Sequence, residues 1–436
     1  MIARHPVPDD DPAGILTGAQ GCRFGAFGRQ FPPGSAAPEL HPRLKDHVRL
    51  MAQKELFLGY PINMKTPPQE FFAWREQLHT LGIGDFAHNN GGDPFKPSPV
   101  PFQTHELERE LILRFARLYG FPSPDTWGFL SHSGTDSNMH GLYMGRTILK
   151  GRTGVMPKCY FTAEAHYSIQ ILRDLLGLDG VQVATLADAA MDPEDLRRKL
   201  AENPDAPALV IATIGTTFKG AIDRVDDLQQ ALRGRDSYLH VDAALFGGYL
   251  PHTAGAGEVR YAGGSGTGRG RFDSIAVSCH KFFGFSSPAG LFITTRSNFE
   301  RFNERYRRIH NPEYIGHVPG TITCSRDALK PAEFYFFSSP EALARQAEEA
   351  REILQLTDYL SDQLHTHFSD LRPRRENHLS NIVYFRQPGE RVVEKYSLAT
   401  MRLEVDGTME DHAHVVVMPH VNREVLDRFL ADLETA

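Results

Sequence analysis

A chain of 436 residues, 41% apolar and 23% charged, has the length and composition of an ordinary globular protein with one large and one smaller domain. Its net charge of −7 argues against a general nucleic-acid or anionic-membrane partner, and no apolar run approaches the length of a bilayer span. Four scattered cysteines (Cys22, Cys159, Cys279, Cys324) without a C-x-x-C pair read as free thiols, and the start lacks the apolar core of a signal peptide, so the expected location is cytoplasmic.

Residues 1–43, rich in Gly and Pro, read as a flexible extension. An N-terminal segment, 44–100, follows, with helices expected over Leu44–Leu56 and Gln69–Leu81 and a polar stretch, Asn89–Pro94. A large domain is expected over 101–309. It opens on Thr104–Leu118, whose Leu107, Leu111, Ile112, Phe115 and Leu118 have the spacing of one helix face. Trp127–Leu130 then runs as a strand into Ser131–Asn138 and a further helix. A strand, a small polar turn and a helix form a phosphate seat, because the free N–H groups and the dipole at a helix N-terminus favour an anion. The same residues, Ser133, Gly134 and Thr135 among them, also suit an ordinary N-cap.

Tyr160–Ser168 is a strand leading into a helix, with His166 at the junction, where an imidazole can stack on a ring or address a carboxylate. Strand-like runs Val181–Leu186 and Ala208–Ile214 alternate with helical stretches Asp192–Glu202 and Val225–Arg233. That alternation predicts a mainly parallel sheet covered by helices on both faces. Thr213–Thr217 falls at a strand end, where such folds keep their ligand contacts.

Tyr238–Asp242 is an apolar strand that ends in an acid followed by Ala243 and Ala244. Ser274–Val277 is another, followed directly by Ser278-Cys279-His280-Lys281. A lysine at a buried strand end is costly to desolvate; its lowered pKa suits a Schiff base with an aldehyde. Alone, Lys281 would better suit a surface lysine lying along apolar residues. Paired with Asp242 it points to pyridoxal phosphate, which needs an acid at its pyridine nitrogen and a lysine at its aldehyde. The run Gly263–Gly270 precedes a strand instead of opening a helix, so it fails the dinucleotide fingerprint and reads as a loop.

The last part, 310–436, is expected to hold the loop His310–Gly320 and a small α+β domain. That domain has a long helix over Ser339–Phe368, strands near Asn381–Phe385 and Val415–Met418, and a final helix, Asn422–Leu433. His412, His414 and His420 form no recognisable ligand set and read as structural; no metal is expected.

These motifs resemble the pyridoxal-phosphate-dependent group II amino-acid decarboxylases, most closely the bacterial histidine decarboxylase branch. The likeness runs from about Leu56 to the C-terminus. It is carried by F-L-G-Y-P (Phe57–Pro61), H-N-N-G-G-D (His88–Asp93), W-G-F-L-S-H-S-G-T-D-S-N (Trp127–Asn138), A-H-Y-S (Ala165–Ser168), H-V-D-A-A-L-F-G (His240–Gly247), S-C-H-K (Ser278–Lys281) and T-I-T-C-S-R (Thr321–Arg326). The resemblance implies fold type I, the aspartate-aminotransferase-like fold, working as a homodimer with the active site at the subunit interface. It implies Lys281 as the internal aldimine, Asp242 at the pyridine nitrogen and His166 over the ring. Ser133, Gly134, Thr135, Ser278 and His280 would surround the phosphate, with Ala244 also against the cofactor. The expected reaction is decarboxylation of an L-amino acid, histidine or a related small one, to the amine and CO2. Tyr314, in the loop with His317, is the candidate proton donor. The family's G-G-T-E-G-N is here S-G-T-D-S-N, and relatives handle histidine, serine, valine and other amino acids, so the substrate is left open.

Two rival readings remain at this point: a related reaction of the same cofactor (oxidative decarboxylation to an aldehyde, or carbon–carbon lysis), and a non-catalytic scaffold.

Overall fold

The apolar runs Ala208–Thr213 and Ser237–Asp242 are buried almost throughout, as strands covered on both faces must be. In the computed structural model, which describes residues 47–48, 50–262, 270–309, 313–405 and 407–435, they form the middle of a seven-stranded sheet. The predicted extension 1–43 and most of the glycine run, 263–269, lie outside the described residues. In chain order the elements are α1 (Gln69–Thr80), α2 (His105–Leu118), β1 (Thr126–Ser131), α3 (Gly134–Thr153), β2 (Lys158–Thr162), α4 (Tyr167–Leu175), β3 (Gly180–Val183), α5 (Pro193–Ala201), β4 (Ala208–Thr213), α6 (Val225–Ala231), β5 (Ser237–Asp242), β6 (Ser274–Ser278), β7 (Gly290–Thr295) and α7 (Arg296–Tyr306). Then come α8 (Leu329–Phe334), α9 (Pro340–His367), β8 (Ile382–Arg386), α10 (Glu390–Lys395), β9 (Ala399–Val405), β10 (Thr408–Val416) and α11 (Arg423–Glu434).

The sheet order is β1-β7-β6-β5-β4-β2-β3. β7 runs antiparallel to both its neighbours and every other pairing is parallel, which makes this the expected fold type I sheet. Alternate residues feed two cores: Val210, Ala212, Leu239 and Val241 pack on the side of α2, and Leu209, Ile211 and Tyr238 on the side of α3 and α7. The second sheet, β8-β10-β9, is antiparallel, and its Val383, Phe385 and Val415 join the same apolar cluster as Val210. Two parts of it differ from the sequence expectation. β9 carries no predicted strand because it is an edge strand with Thr400–Arg402 and Glu404 exposed. β10 begins at Thr408, well before Val415, because its charged first half pairs with β9 in solvent instead of being buried. Among the described residues no helix is long and apolar enough to cross a membrane.

A buried ion pair, Arg326 with Glu108, ties the T-I-T-C-S-R segment to α2. Glu108 also accepts from Asn90 Nδ2 at 2.8 Å and Leu130 N at 2.9 Å, and Arg326 donates to Gly92 O at 3.1 Å. Three of the sequence motifs are thus one hydrogen-bonded unit.

The small-domain histidines clamp the F-L-G-Y-P segment. His414 lies 2.9 Å from Gly59 O, and His420 accepts the Met64 N–H at 3.1 Å and donates to Phe57 O at 3.0 Å. Burial pushes His420 down to about 4 and His140 down to about 3. An unfolded histidine titrates near 6.5, so below that pH the unfolded chain binds protons that these folded rings refuse. Stability contributed above pH 6.5 is therefore lost as the pH falls toward 4, on the order of 1 kcal/mol per pH unit for each ring. The urea midpoint is expected to fall between about pH 6.5 and 4.5, less steeply in a His420→Gln variant; equal slopes would remove His420 from this account.

Candidate active site

β5 and β6 are parallel neighbours with Asp242 opposite Ala276, so their C-terminal ends deliver Asp242 and the Ser278–Lys281 turn to one edge of the sheet. The turns after β1, β2 and β4 open on the same edge, as the topology of open α/β sheets dictates. There they enclose a cavity of about 250 Å³. All nine residues expected to contact a cofactor line it: Ser133, Gly134, Thr135, His166, Asp242, Ala244, Ser278, His280 and Lys281. A wider groove of about 810 Å³ between Met64, Tyr359 and Arg423 contains none of them.

Ser133 is the N-cap of α3. Its hydroxyl accepts the Asp136 N–H at 3.1 Å, and the Asp136 carboxylate takes the His132 N–H at 2.9 Å. Asp136 is shorter than the family's usual Glu, yet it still closes a reciprocal cap one residue further back. Ser137 is absorbed by a 2.6 Å hydrogen bond with Ser131. The Gly134 and Thr135 amides have no acceptor within the helix and remain open to an anion. Gly134 approaches β6 closely: a Cβ there would meet Ser278 Oγ at 2.3 Å, so the Ser278 hydroxyl would have to turn away.

His166 caps α4, and its Nδ1 accepts from Ser168 N at 3.2 Å and lies 2.7 Å from Ser168 Oγ. Its proton therefore sits on Nε2. Burial, with a smaller contribution from Lys281, lowers its pKa against the pull of Asp242, so the ring is neutral. Burial also lowers the Lys281 pKa, opposed by Asp242. The amine has no hydrogen bond or ion pair among the described residues, so it is available as a nucleophile. His280 is lowered by burial and then by Lys281. Asp242 is 3% exposed and is held at both oxygens, by Ala244 N–H at 3.1 Å and Asn138 Nδ2 at 2.8 Å.

Sequence reasoning missed the role of Asn138. Its signal was its place one helical turn after Gly134, which turns it toward the cavity. Thr213 was noted only as part of a strand end; its hydroxyl is buried, without a partner among the described residues, at a residue lining the cavity. Tyr314 is not brought to the cavity of its own chain. It lies 80% exposed in the turn Glu313–Ile315, while nearby His317 accepts the Asp93 N–H at 3.1 Å. The donor set fits pyridoxal phosphate: a half-buried amine and a buried hydroxyl, both without a partner among the described residues, with a buried carboxylate and an open helix N-terminus on the same cavity.

The pyridoxal-dependent decarboxylase conserved domain matches residues 101–384. A histidine decarboxylase of Solanum lycopersicum is 30% identical over 88% of this chain and 86% of its own length. Serine decarboxylase 1 of Oryza sativa subsp. japonica is 31% identical over 88% of this chain and 73% of its own. Among solved structures, an L-methionine decarboxylase from Streptomyces superposes with a TM-score of 0.76 at 22% identity, covering 99% of each chain. That likeness, at such low identity, speaks for the fold alone. Taken with the domain match and the relatives spanning most of the sequence, it makes the chain a member of the pyridoxal-dependent decarboxylase family, enzymes that decarboxylate amino acids with pyridoxal phosphate as cofactor.

Proposed function

We propose that the protein decarboxylates histidine or a related small L-amino acid to its amine and CO2, with Lys281 as the residue that holds the cofactor's aldehyde carbon. The observation that carries this reading is the convergence on one cavity of Lys281, Asp242, His166 and the N-terminus of α3. When bound, pyridoxal phosphate supplies a ring that takes up the electrons of the breaking Cα–carboxylate bond. Asp242 holds the proton on the ring nitrogen. Ser133, Gly134, Thr135, Ser278 and His280 would hold the phosphate, and Ala244 and His166 would hold the ring, with His166 Nε2–H available to the substrate carboxylate. Among the described residues of this chain, the titratable side chains lining the cavity are Asp242, Lys281, His166, His280 and Tyr167.

The test is CO2 release across the common amino acids with the amine identified. One strong substrate, histidine or another small amino acid, is expected. An aldehyde with ammonia as the product would overturn the reading.

The same reading includes a homodimer whose second copy completes the site. Tyr167, Ile171 and Leu175 are 72%, 58% and 67% exposed, a stripe of apolar side chains four residues apart that starts at the cavity itself. Tyr314, remote from its own cavity, would act in the partner's, delivering a proton to the substrate's α-carbon. Mixing the inactive variants Lys281→Ala and Tyr314→Phe as a random dimer population is then expected to restore activity in about one site in four. No recovery, despite heterodimers detected by tagged pull-down, would put Tyr314 in its own subunit's chemistry or in none.

A further inference from the structure

Behind Asp242, four side chains form an unbroken hydrogen-bonded relay. Tyr238 Oη–H donates to Ser274 Oγ at 2.9 Å, and Ser274 Oγ lies 2.8 Å from His240 Nδ1. His240 Nε2 lies 3.0 Å from Asn138 Oδ1, and Asn138 Nδ2–H donates to Asp242 Oδ2 at 2.8 Å. Ser274 and His240 are fully buried, and Tyr238 and Asn138 are 2% exposed.

The direction of each bond follows from the one at the end. An ionised carboxylate only accepts, so Asn138 turns its NH2 to Asp242 and its oxygen to His240. His240 must then donate from Nε2, which leaves Nδ1 bare to accept the Ser274 hydroxyl proton. Ser274 in turn accepts from Tyr238. Every donor in the relay points toward Asp242, and each bond polarises the next.

The surroundings are shaped to hold it. Tyr238, His240 and Asp242 alternate onto one face of β5, and Ser274 is the registered neighbour of His240 on β6. The helix packed over them, α3, has interior glycines at Gly141 and Gly145, which weaken a helix. A Cβ on Gly141 would meet His240 Nδ1 at 2.5 Å, and one on Gly145 would meet the Tyr238 ring at 2.7 Å. The two glycines, one turn apart, are the room in which the relay sits.

We infer that His240 is a positioning residue: locked as the neutral Nε2–H tautomer, it acts through Asn138 to keep the Asp242 carboxylate aimed at the cofactor's ring nitrogen. The role at the ring nitrogen rests on the reading of Asp242 given above; the polarity of the relay does not. Burial pushes the imidazole down to about 4, against the pull of Asp242. The titratable groups facing it, Tyr238 on β5 and His140 on α3, are buried with it and uncharged at neutral pH.

The first arm of the test needs no cofactor. In 15N NMR of the cofactor-free protein, His240 is expected to stay neutral with its proton on Nε2 from about pH 6 to 8. A proton on Nδ1, or titration near the ordinary 6.5, overturns the proposal. In the second arm, His240→Leu is expected to weaken pyridoxal phosphate binding about 10–100-fold, the scale of one charge-assisted hydrogen bond. His240→Gln, which keeps a donor toward Asn138, is expected to stay within about threefold of wild type. A folded His240→Leu protein that binds the cofactor like wild type overturns the proposal. Should that variant not fold, Tyr238→Phe carries the comparison, with a loss of about 3–10-fold expected and wild-type binding counting against the relay. If wild type itself binds no pyridoxal phosphate, the cofactor reading falls and the NMR arm still decides the relay.

Discussion

Lys281→Ala is expected to lose decarboxylation by on the order of 10⁴-fold or more, and with it the visible absorption that a lysine-bound cofactor gives. The expectation follows from what the amine can do where it stands. It lies at the cavity without a hydrogen bond or ion pair among the described residues, and burial lowers its pKa, so a larger fraction is unprotonated than for a solvated lysine. Alanine removes the nucleophile and leaves the rest of the cavity wall. Ser133, Gly134 and Thr135 sit on a different element from Lys281, so the proposed phosphate seat would be intact and the variant is expected to bind the cofactor without a covalent link. A small primary amine supplied in solution would then restore part of the turnover by taking the place of the missing side chain. A Lys281→Ala protein that keeps both its visible band and more than about a hundredth of its turnover would assign the chemistry to another residue.

Much of this site could be read in the sequence because its residues stand at strand ends. Apolar runs such as Ala208–Thr213 and Ser274–Ser278 announce buried strands, and the first polar residues beyond them fall at the sheet's edge whatever the order of the strands. Asp242 and Lys281 could therefore be paired without knowing that β5 and β6 are neighbours. The strand order itself and the reversed direction of β7 could not be read, because they depend on long-range pairing and not on local pattern. Asn138 was hidden for a different reason. It lies inside a helix, where an amide looks like any solvated side chain, and only the approach of α3 to β5 reveals that it faces Asp242. The relay behind it was invisible for the same reason. His240 reads as one polar residue in an apolar strand, and Gly141 as a helix defect, until the two are found to occupy the same space. Tyr314 is the opposite case: its loop was legible as a loop, but the residue is not among those lining the cavity of its own chain.

Asp242→Asn is expected to cost on the order of 10³-fold in kcat while leaving the visible band of the bound cofactor in place. The two substitutions thus separate the roles that the sequence pairs. In the proposed reading Lys281 would govern attachment and Asp242 how well the attached ring draws electrons. The carboxylate is 3% exposed, and both its oxygens already accept a hydrogen bond, one from Asn138 Nδ2 and one from the Ala244 N–H. Asparagine has a single oxygen for those two donors, so one of them faces an NH2 group and goes unpaired. More important, it carries no negative charge to hold a proton on the ring nitrogen. Asp242→Glu keeps the charge but moves it by one methylene against the fixed Asn138 and Ala244 donors, and is expected to retain more activity than the asparagine variant. The decisive comparison is the ratio of the two. If asparagine stays within about tenfold of wild type, or if glutamate is the worse of the pair, the charge of Asp242 is not what drives the reaction, and the relay through His240 would serve only to fill the space beneath α3.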